Sequence, residues 1–323
     1  MFFKITMERI AILTGGDSAE YNISLLSANI VHQHLDKSKY DAEIVHLKNG
    51  EYTVANQQIN TSDFSYTQNN RKKKFDKIFI ALHGSPAENG LIQDYFDNIN
   101  IPYTSCNAKV SALTFDKFEC NKILRLMKFE CPKSIAIKKD NEYSKDYIIN
   151  MIGLPCFVKP NSGGSSYGVS KVTKGSNLLK AIKNAFSYDN KVIIESFIDG
   201  IELSCGVYFD GNQINALPIT EIVSENDFFD YEAKYEGKAE EITPARISDQ
   251  ITLDIQKTTI DIYKKLNLSG ICRVDFITKG NKSYIIEINS IPGLSEESII
   301  PKQLEVANIS LSEIFDVCLS NIN

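Results

Sequence analysis

No stretch of this sequence approaches the roughly 20 consecutive apolar residues that a membrane-spanning helix requires. Residues 1–10 are broken by Lys4, Glu8 and Arg9, so they lack the apolar core of a secretory signal. The expectation is a cytoplasmic protein with no membrane partner. Paired cysteines are also lacking: the seven cysteines are odd in number, widely spaced and without a CxxC, which argues for reduced packing thiols over disulfides or zinc. Histidine is scarce, and His32, His34, His46 and His83 are the only four. A metal bound later in the chain must therefore be held by oxygens, which points to a hard ion such as Mg²⁺. Positive charge is in deficit, 35 Lys plus Arg against 41 Asp plus Glu for a net −6, so no nucleic-acid partner is expected. The basic run at residues 71–74 (RKKK) is short and reads as a solvated turn.

What is present is an ordinary globular composition, 43% apolar and 24% charged over 323 residues, enough for two or three domains. Residues 9–13 (RIAIL) read as a buried strand that ends in Gly15 and Gly16 and feeds a helix over about 18–35. Residues 76–82 (DKIFIAL) repeat the pattern, ending at His83 and Gly84 before a helix over 90–99. This alternation predicts a parallel α/β sheet in residues 1–105, with ligands beyond the C-terminal ends of its strands. Residues 107–128 read as one helix containing Asp116 and Lys117, and 131–138 as extended. Strands at 153–158 and 169–172 flank a glycine- and serine-rich loop, KPNSGGSSYG, at 159–168. A helix at 177–186 and strands at 192–197 and 202–209 follow. Residues 224–243 hold seven acids without a clean period and read as a long loop or lid. A helix at 249–266, strands at 270–277 and 283–289, and a helix at 311–320 complete the pattern. The expected divisions are 1–105, 106–197 and 198–323.

Two constellations carry chemistry. Backbone N–H groups of the glycine loop can wrap phosphate oxygens, and Lys159 at its entrance is placed to meet a phosphate. The loop is not a Walker A motif, because Val169 stands where that motif needs its lysine, and no GxGxxG follows the first strand. A flexible hairpin is the plain alternative. In the two late strands, Arg273 and Asp275 share one sheet face, and so do Glu287 and Asn289. A buried ion pair accounts for Arg273 and one acid but leaves the other acid and the amide without cause. Asp275, Glu287 and Asn289 offer the oxygens Mg²⁺ prefers, and Arg273 beside them can hold a phosphoryl group and then an oxyanion.

A lysine, a Ser/Gly loop, then RxD and ExN on neighbouring strands resemble the ATP-grasp carboxylate-amine ligases. The ordered strings GGDSAE (15–20), LHG (82–84), DK (116–117), KPNSGGSSYGVSKV (159–172), DYEAKY (230–235), RVD (273–275), EINSIPG (287–293) and Ser298 resemble the D-alanine:D-alanine ligase family within them. The match begins at about residue 8, so Met7 competes with Met1 as the first residue. The resemblance implies an ATP-grasp fold behind an N-terminal Rossmann-like domain. It also implies ligation of two D-alanines through an acyl phosphate for peptidoglycan precursors, with ATP and two Mg²⁺, or Mn²⁺ in their place, in a homodimer.

Residue by residue, the resemblance implies that Lys117, Lys159 and Ser166 contact ATP phosphates, Glu195 the adenine side and Glu202 the ribose. Lys234 would reach the phosphates and substrate. Asp275, Glu287 and Asn289 would hold the metal. Glu20 would receive the first ammonium and join Ser165 and Tyr235 in a hydrogen-bonded triad, with His83 nearby. Arg273 and the Gly293 N–H would stabilise the oxyanion, and Ser298 would take the second carboxylate. Plain structural roles stay open: a helix-start acid at Glu20, a turn residue at Ser165, loop surface at Tyr235, a strand-end cap at His83. The sequence departs from the family at Asn89, where Asp is usual, and at Glu296 and Glu297, in a stretch usually less acidic. Tyr235 favours D-alanine over D-lactate as second substrate, whereas D-serine stays open because a pocket rejects an added hydroxyl by only about 10²-fold. The competing classes are an ATP-grasp ligase for another amino acid pair, a nucleotide-binding pseudoenzyme, and, lower, a nicotinamide oxidoreductase.

Overall fold

The computed structural model describes residues 7–224 and 239–322. The chain runs β1 (Glu8–Gly15), α1 (Tyr21–His34), β2 (Tyr40–Lys48), β3 (Glu51–Val54), β4 (Gln57–Gln58), β5 (Ser65–Gln68), β6 (Arg71–Lys74), β7 (Lys77–Ile80) and α2 (Leu91–Asn98). Strands β2 and β7 flank β1 in parallel, and β3 and β4 extend the β2 edge antiparallel. Strand β1 reads as a continuous apolar run because both its faces are covered. Ile10 and Ile12 enter one core with α1, while Ala11 and Leu13 enter another with α2. Period two does the same in β7, where Phe79 joins the first core and Ile78 and Ile80 the second.

The chain continues through α3 (Ala108–Phe115), α4 (Lys117–Leu126), β8 (Ser134–Lys138), α5 (Lys145–Ile152), β9 (Cys156–Pro160), β10 (Ser170–Val172), α6 (Leu178–Ala185) and β11 (Lys191–Ser196). The four strands form an antiparallel sheet, β10-β9-β11-β8, whose core draws on residues 148–194. Helices α3 and α4 pack elsewhere: Cys106, Cys120 and Leu124 join the core of the last sheet.

That sheet takes β12 (Ile201–Phe209), β13 (Ile214–Ala216), β14 (Thr220–Ser224), β15 (Ala239–Ile242), β16 (Cys272–Lys279) and β17 (Lys282–Asn289), in the order β15-β14-β12-β16-β17 with β13 on β12. Helix α7 (Asp249–Lys265) covers one face, where Leu203, Cys205, Val207, Val274 and Phe276 are buried. Helices α8 (Ile299–Val306) and α9 (Leu311–Ser320) follow. Residues of α8 and α9, Ile300, Leu304 and Phe315 among them, complete the core begun by Ile10, Ile12 and Phe79.

Several expectations change. The basic run is a strand, Arg71–Lys74, paired with Ser65–Gln68, and Lys72 and Lys74 both ion-pair with Asp63. The helix expected over 107–128 is broken at Asp116, whose extended backbone and carboxylate cap α4 by accepting the Glu119 N–H at 2.9 Å. The ends of the expected lid over 224–243 belong to paired strands, with Ser224 opposite Ala239, and Glu240 and Ile242 opposite Val223 and Glu221 just before it; its centre, 225–238, lies outside the described residues. No described helix is long and apolar enough to cross a membrane.

Candidate active site

A cleft of about 930 Å³ is lined by strands of the last sheet, by the glycine loop between β9 and β10, by the segment after β7, by α1 and by the stretch after β17. Its floor is the polar face of β12, β16 and β17. Because β16 buries Cys272, Val274 and Phe276 on one side, Arg273 and Asp275 face the other. Register sets Asn289 opposite Arg273 and Glu287 opposite Asp275, with a bulge directly after Asp275. The four polar side chains expected together are thus together. Arg273 grips Asp275 with two bonds, Nε to Oδ1 and Nη2 to Oδ2, each 2.8 Å. Asp275 also accepts Ser204 Oγ at 2.5 Å and Asn289 Nδ2 at 2.9 Å. Burial opposes charge on the guanidinium, but Asp275 and Glu287 outweigh it, so Arg273 stays protonated at any working pH.

Two lysines approach from the preceding elements. Lys117 opens α4, donates to the Gly163 carbonyl at 2.7 Å and lies 3.3 Å from Glu287, so it bridges the glycine loop to the floor. Lys159 lies 2.7 Å from Glu195 on the neighbouring strand. Burial opposes its charge, and the Glu195 carboxylate more than restores it. Glu195 in turn accepts Asn121 Nδ2 at 2.9 Å, so a fully buried acid has a partner on each oxygen. Lys159, Glu195 and Ser166 are not among the residues lining the cleft, whereas Glu202 is.

Glu20, just before α1, reaches the glycine loop, where Ser165 Oγ donates to its Oε1 at 2.8 Å. The contact needs two local features. A Cβ on Gly164 would lie 2.6 Å from Glu20 Oε1, so a side chain there would push the Glu20 carboxylate from its place. Ser165 and Ser166 both adopt left-handed backbones, φ +53° and +57°, a strain that aims the Ser165 hydroxyl inward.

The stretch after β17 forms the remaining wall. His83, buried at the end of β7, bonds the Ile291 carbonyl through Nδ1 at 2.9 Å and Ser27 Oγ through Nε2 at 2.8 Å. A carbonyl only accepts, so the proton sits on Nδ1; burial holds the ring neutral, pushing its pKa down. Ser27 Oγ also accepts the Leu294 N–H at 3.2 Å, which fastens residues 291–294 to α1. His83 lines the cleft with both ring nitrogens engaged by protein. Gly293 is pressed against Ser298, whose Oγ would lie 2.6 Å from any added Cβ. The Ser298 hydroxyl, an N-cap by position, makes no cap bond and pairs instead with Ser295 Oγ at 2.7 Å.

Lys234 and Tyr235 lie outside the described residues. Glu88 joins the cleft without a sequence signal of its own. Its carboxyl is raised to about 8, chiefly by burial and then by Glu20. Ser27, Ser204 and Asn121 are further residues that hold the site and that no motif marks; Ser204 shares the polar face of β12 with Glu202, and Ser27 and Asn121 are buried polar groups of α1 and α4.

Two family models span the chain: D-ala D-ala ligase N-terminus over residues 9–106 and D-ala D-ala ligase C-terminus over 123–320. The chain belongs to the D-alanine–D-alanine ligase family. A D-alanine–D-alanine ligase of Flavobacterium johnsoniae is 48% identical over 314 residues, 96% of this chain and 97% of that protein. The VanG D-Ala:D-Ser ligase of Enterococcus faecalis superposes with a TM-score of 0.86 at 31% identity, covering 98% of this chain and 99% of that one. The D-alanine–D-alanine ligase of Bacillus anthracis, solved in complex with ATP, gives a TM-score of 0.79 at 28% identity over 97% of this chain and 96% of that one. D-alanine–D-alanine ligases have the ATP-grasp fold, so the expected fold class holds, and the chain is an ATP-dependent, ADP-forming ligase.

For a D-alanine–D-alanine ligase the donor set suits Mg²⁺. Among the described residues no three His, Cys, Asp or Glu side chains form a cage. Asp275 and Glu287, directly opposite each other, with the Asn289 amide would make a partial oxygen shell for an ion that keeps water and takes phosphate oxygens, and such an ion would have to displace donors now on Asp275.

Proposed function

We propose that this chain joins two D-alanine molecules to D-alanyl-D-alanine for peptidoglycan precursors. The observation that supports it most is that Glu20, Ser165, Lys117, Arg273, Asp275, Glu287 and Asn289, drawn from every part of the chain, line one cleft. Glu20, fixed by Ser165, receives the ammonium of the first D-alanine. A carboxylate oxygen of this first D-alanine attacks the γ-phosphorus of ATP, the bond to the β-phosphate oxygen breaks, and ADP leaves a D-alanyl phosphate. The amine of the second D-alanine attacks that carbonyl. Arg273 and the Gly293 N–H receive the charge on the tetrahedral oxygen, and phosphate departs as the amide forms. Lys117, Lys159 and Ser166 hold ATP phosphates, Glu195 and Glu202 the nucleoside, and Ser298 the second carboxylate. Lys234 and Tyr235 complete the phosphate contacts and the triad. Asp275, Glu287 and Asn289 would hold two Mg²⁺, which supply positive charge to the transferring phosphoryl group when bound. His83 keeps residues 291–294 in place beside the first substrate.

The same reading includes a homodimer in the cytoplasm, without nucleic-acid or membrane partners, and divisions of the chain near residues 105 and 197. The self-contained core of the sheet of 134–196 supports a division near residue 197, whereas α3 and α4 pack on the last sheet and the first sheet shares a core with α8 and α9. Likeness to a D-Ala:D-Ser ligase favours D-serine as the rival second substrate. Coupled ADP release with ATP and Mg²⁺, followed by product mass, tests the reading. Turnover with D-alanine alone, giving the dipeptide, supports it. Release only when D-serine or another amine is added transfers the assignment to that pair, and silence throughout leaves a nucleotide-binding protein.

A further inference from the structure

Ser298 stands at the start of α8 and does not cap it. Three other serine N-caps, Ser144, Ser248 and Ser310, each accept a backbone N–H of their own helix. The Ser298 hydroxyl is turned away, toward Ser295. Lys302 lies four residues on, one helical turn, so both side chains share a face, and both line the cleft beside Gly293. Its neighbour Gln303 pins the helix: Nε2 donates to the Ser204 carbonyl at 2.8 Å and Thr220 Oγ1 at 3.0 Å, while Oε1 accepts the Gly206 N–H at 3.0 Å. With Gln303 locked onto the sheet, α8 cannot rotate, and Lys302 is held at the cleft wall.

This end of the cleft is acidic. Glu241 of β15 lies 3.1 Å from Lys302 Nζ and Glu297 lies 3.7 Å away, with Glu296 beside it. A carboxylate entering here would be repelled without a cation. Of the described cations lining the cleft, all three have carboxylate partners: Lys117 lies on Glu287, Arg273 on Asp275 and Lys302 on Glu241. Lys302 differs in that it alone stands on the Ser298 helix and its side chain is one-third exposed, about twice as much as the other two. We infer that Lys302 receives the carboxylate of the second, amine-donating amino acid together with Ser298, in competition with Glu241. The inference rests on the ligase reading above and names a specificity residue that reading does not contain.

The test uses the full chain at saturating ATP and Mg²⁺ with the first site filled. Lys302→Met should raise the KM of the second D-alanine about 10- to 100-fold, the scale of a lost hydrogen bond to a charged group, and leave the KM for ATP near wild type. It should also erase much of the preference for D-alanine over D-alaninamide, which lacks the negative charge. Glu241→Gln, which removes the competing acid, should lower the same KM. Opposite movement of the two variants supports the inference. Equal movement, or a fall in thermal midpoint with the second KM unchanged, reduces Lys302 to a tie between β15 and α8 and overturns it. Absence of ADP release from wild type with D-alanine overturns the ligase reading, and this assignment with it.

Discussion

Ser165 and Glu20, 145 positions apart in the chain, meet through a hydrogen bond of 2.8 Å. The bond joins the glycine loop of one sheet to the first helix of another, so the loop is closed over the cleft by a residue of the binding site itself. Ser165→Ala deletes a donor to a carboxylate, and kcat/KM should fall about 10- to 100-fold. Glu20→Gln should do at least as much, since the ammonium partner is then also lost. A double variant no worse than Glu20→Gln alone would show that both act through one contact, which a double-mutant cycle on ADP release measures.

Arg273→Ala should lose about 10² to 10³ of turnover if it behaves as a lost oxyanion donor. It also strips Asp275 of its bidentate partner, so a fall in thermal midpoint accompanies it. Arg273→Lys separates the two effects. One ammonium cannot reproduce the fork, so stability should recover more than activity. Turnover near wild type in Arg273→Ala would remove the residue from the chemistry.

The buried pair of Lys159 and Glu195 makes a stability prediction. Lys159→Ala leaves Glu195 buried with only Asn121 and should cost about 3 to 5 kcal/mol by urea unfolding. Lys159→Met with Glu195→Gln should restore most of that and still bind ATP poorly. Recovery of ATP affinity in the double variant would show that the lysine's role is structural.

Glu88 sets a pH dependence. Its carboxyl is raised from 4.5 to about 8 in the folded protein, by burial and then by Glu20. Between those values the folded protein keeps a proton that the unfolded chain has released, so stability falls as pH rises through that window. Glu88→Gln, neutral and nearly isosteric, should flatten this part of the profile. An unchanged slope in the urea midpoint would place the titration elsewhere.

Much of this site is legible in the sequence, for physical reasons that differ by residue. Arg273, Asp275, Glu287 and Asn289 are visible because a strand's period is two and polar groups interrupt two apolar runs. Strands β1 and β7 are visible because sheets covered on both faces leave uninterrupted apolar stretches. The hairpins between β2 and β7 are not, since their strands have two to four residues and mixed exposure. Helix α8 is hidden because Ser298, its only start signal, makes no cap, and because Pro301 breaks the apolar pattern in its first turn. Asp116 was readable as an N-cap in the middle of a helical run. Glu88 sits in a turn, SPAENG, where no periodicity marks which way a side chain points.

The core shared by β1, α1, β7, α8 and α9 bears on the order of assembly. Phe79 meets Phe315 edge to face at 5.4 Å, Tyr40 donates to Asp316 across 276 positions, and Lys77 Nζ donates to the Leu319 carbonyl across 242. The first sheet to leave the ribosome therefore has one apolar face that α1 covers only in part until the C-terminal helices are made. A nascent chain stalled before residue 311 would have α1 and α8 against Ile10 and Ile12 but would lack Phe315 over Phe79 and Asp316 beside Tyr40, so this core closes only when α9 is made.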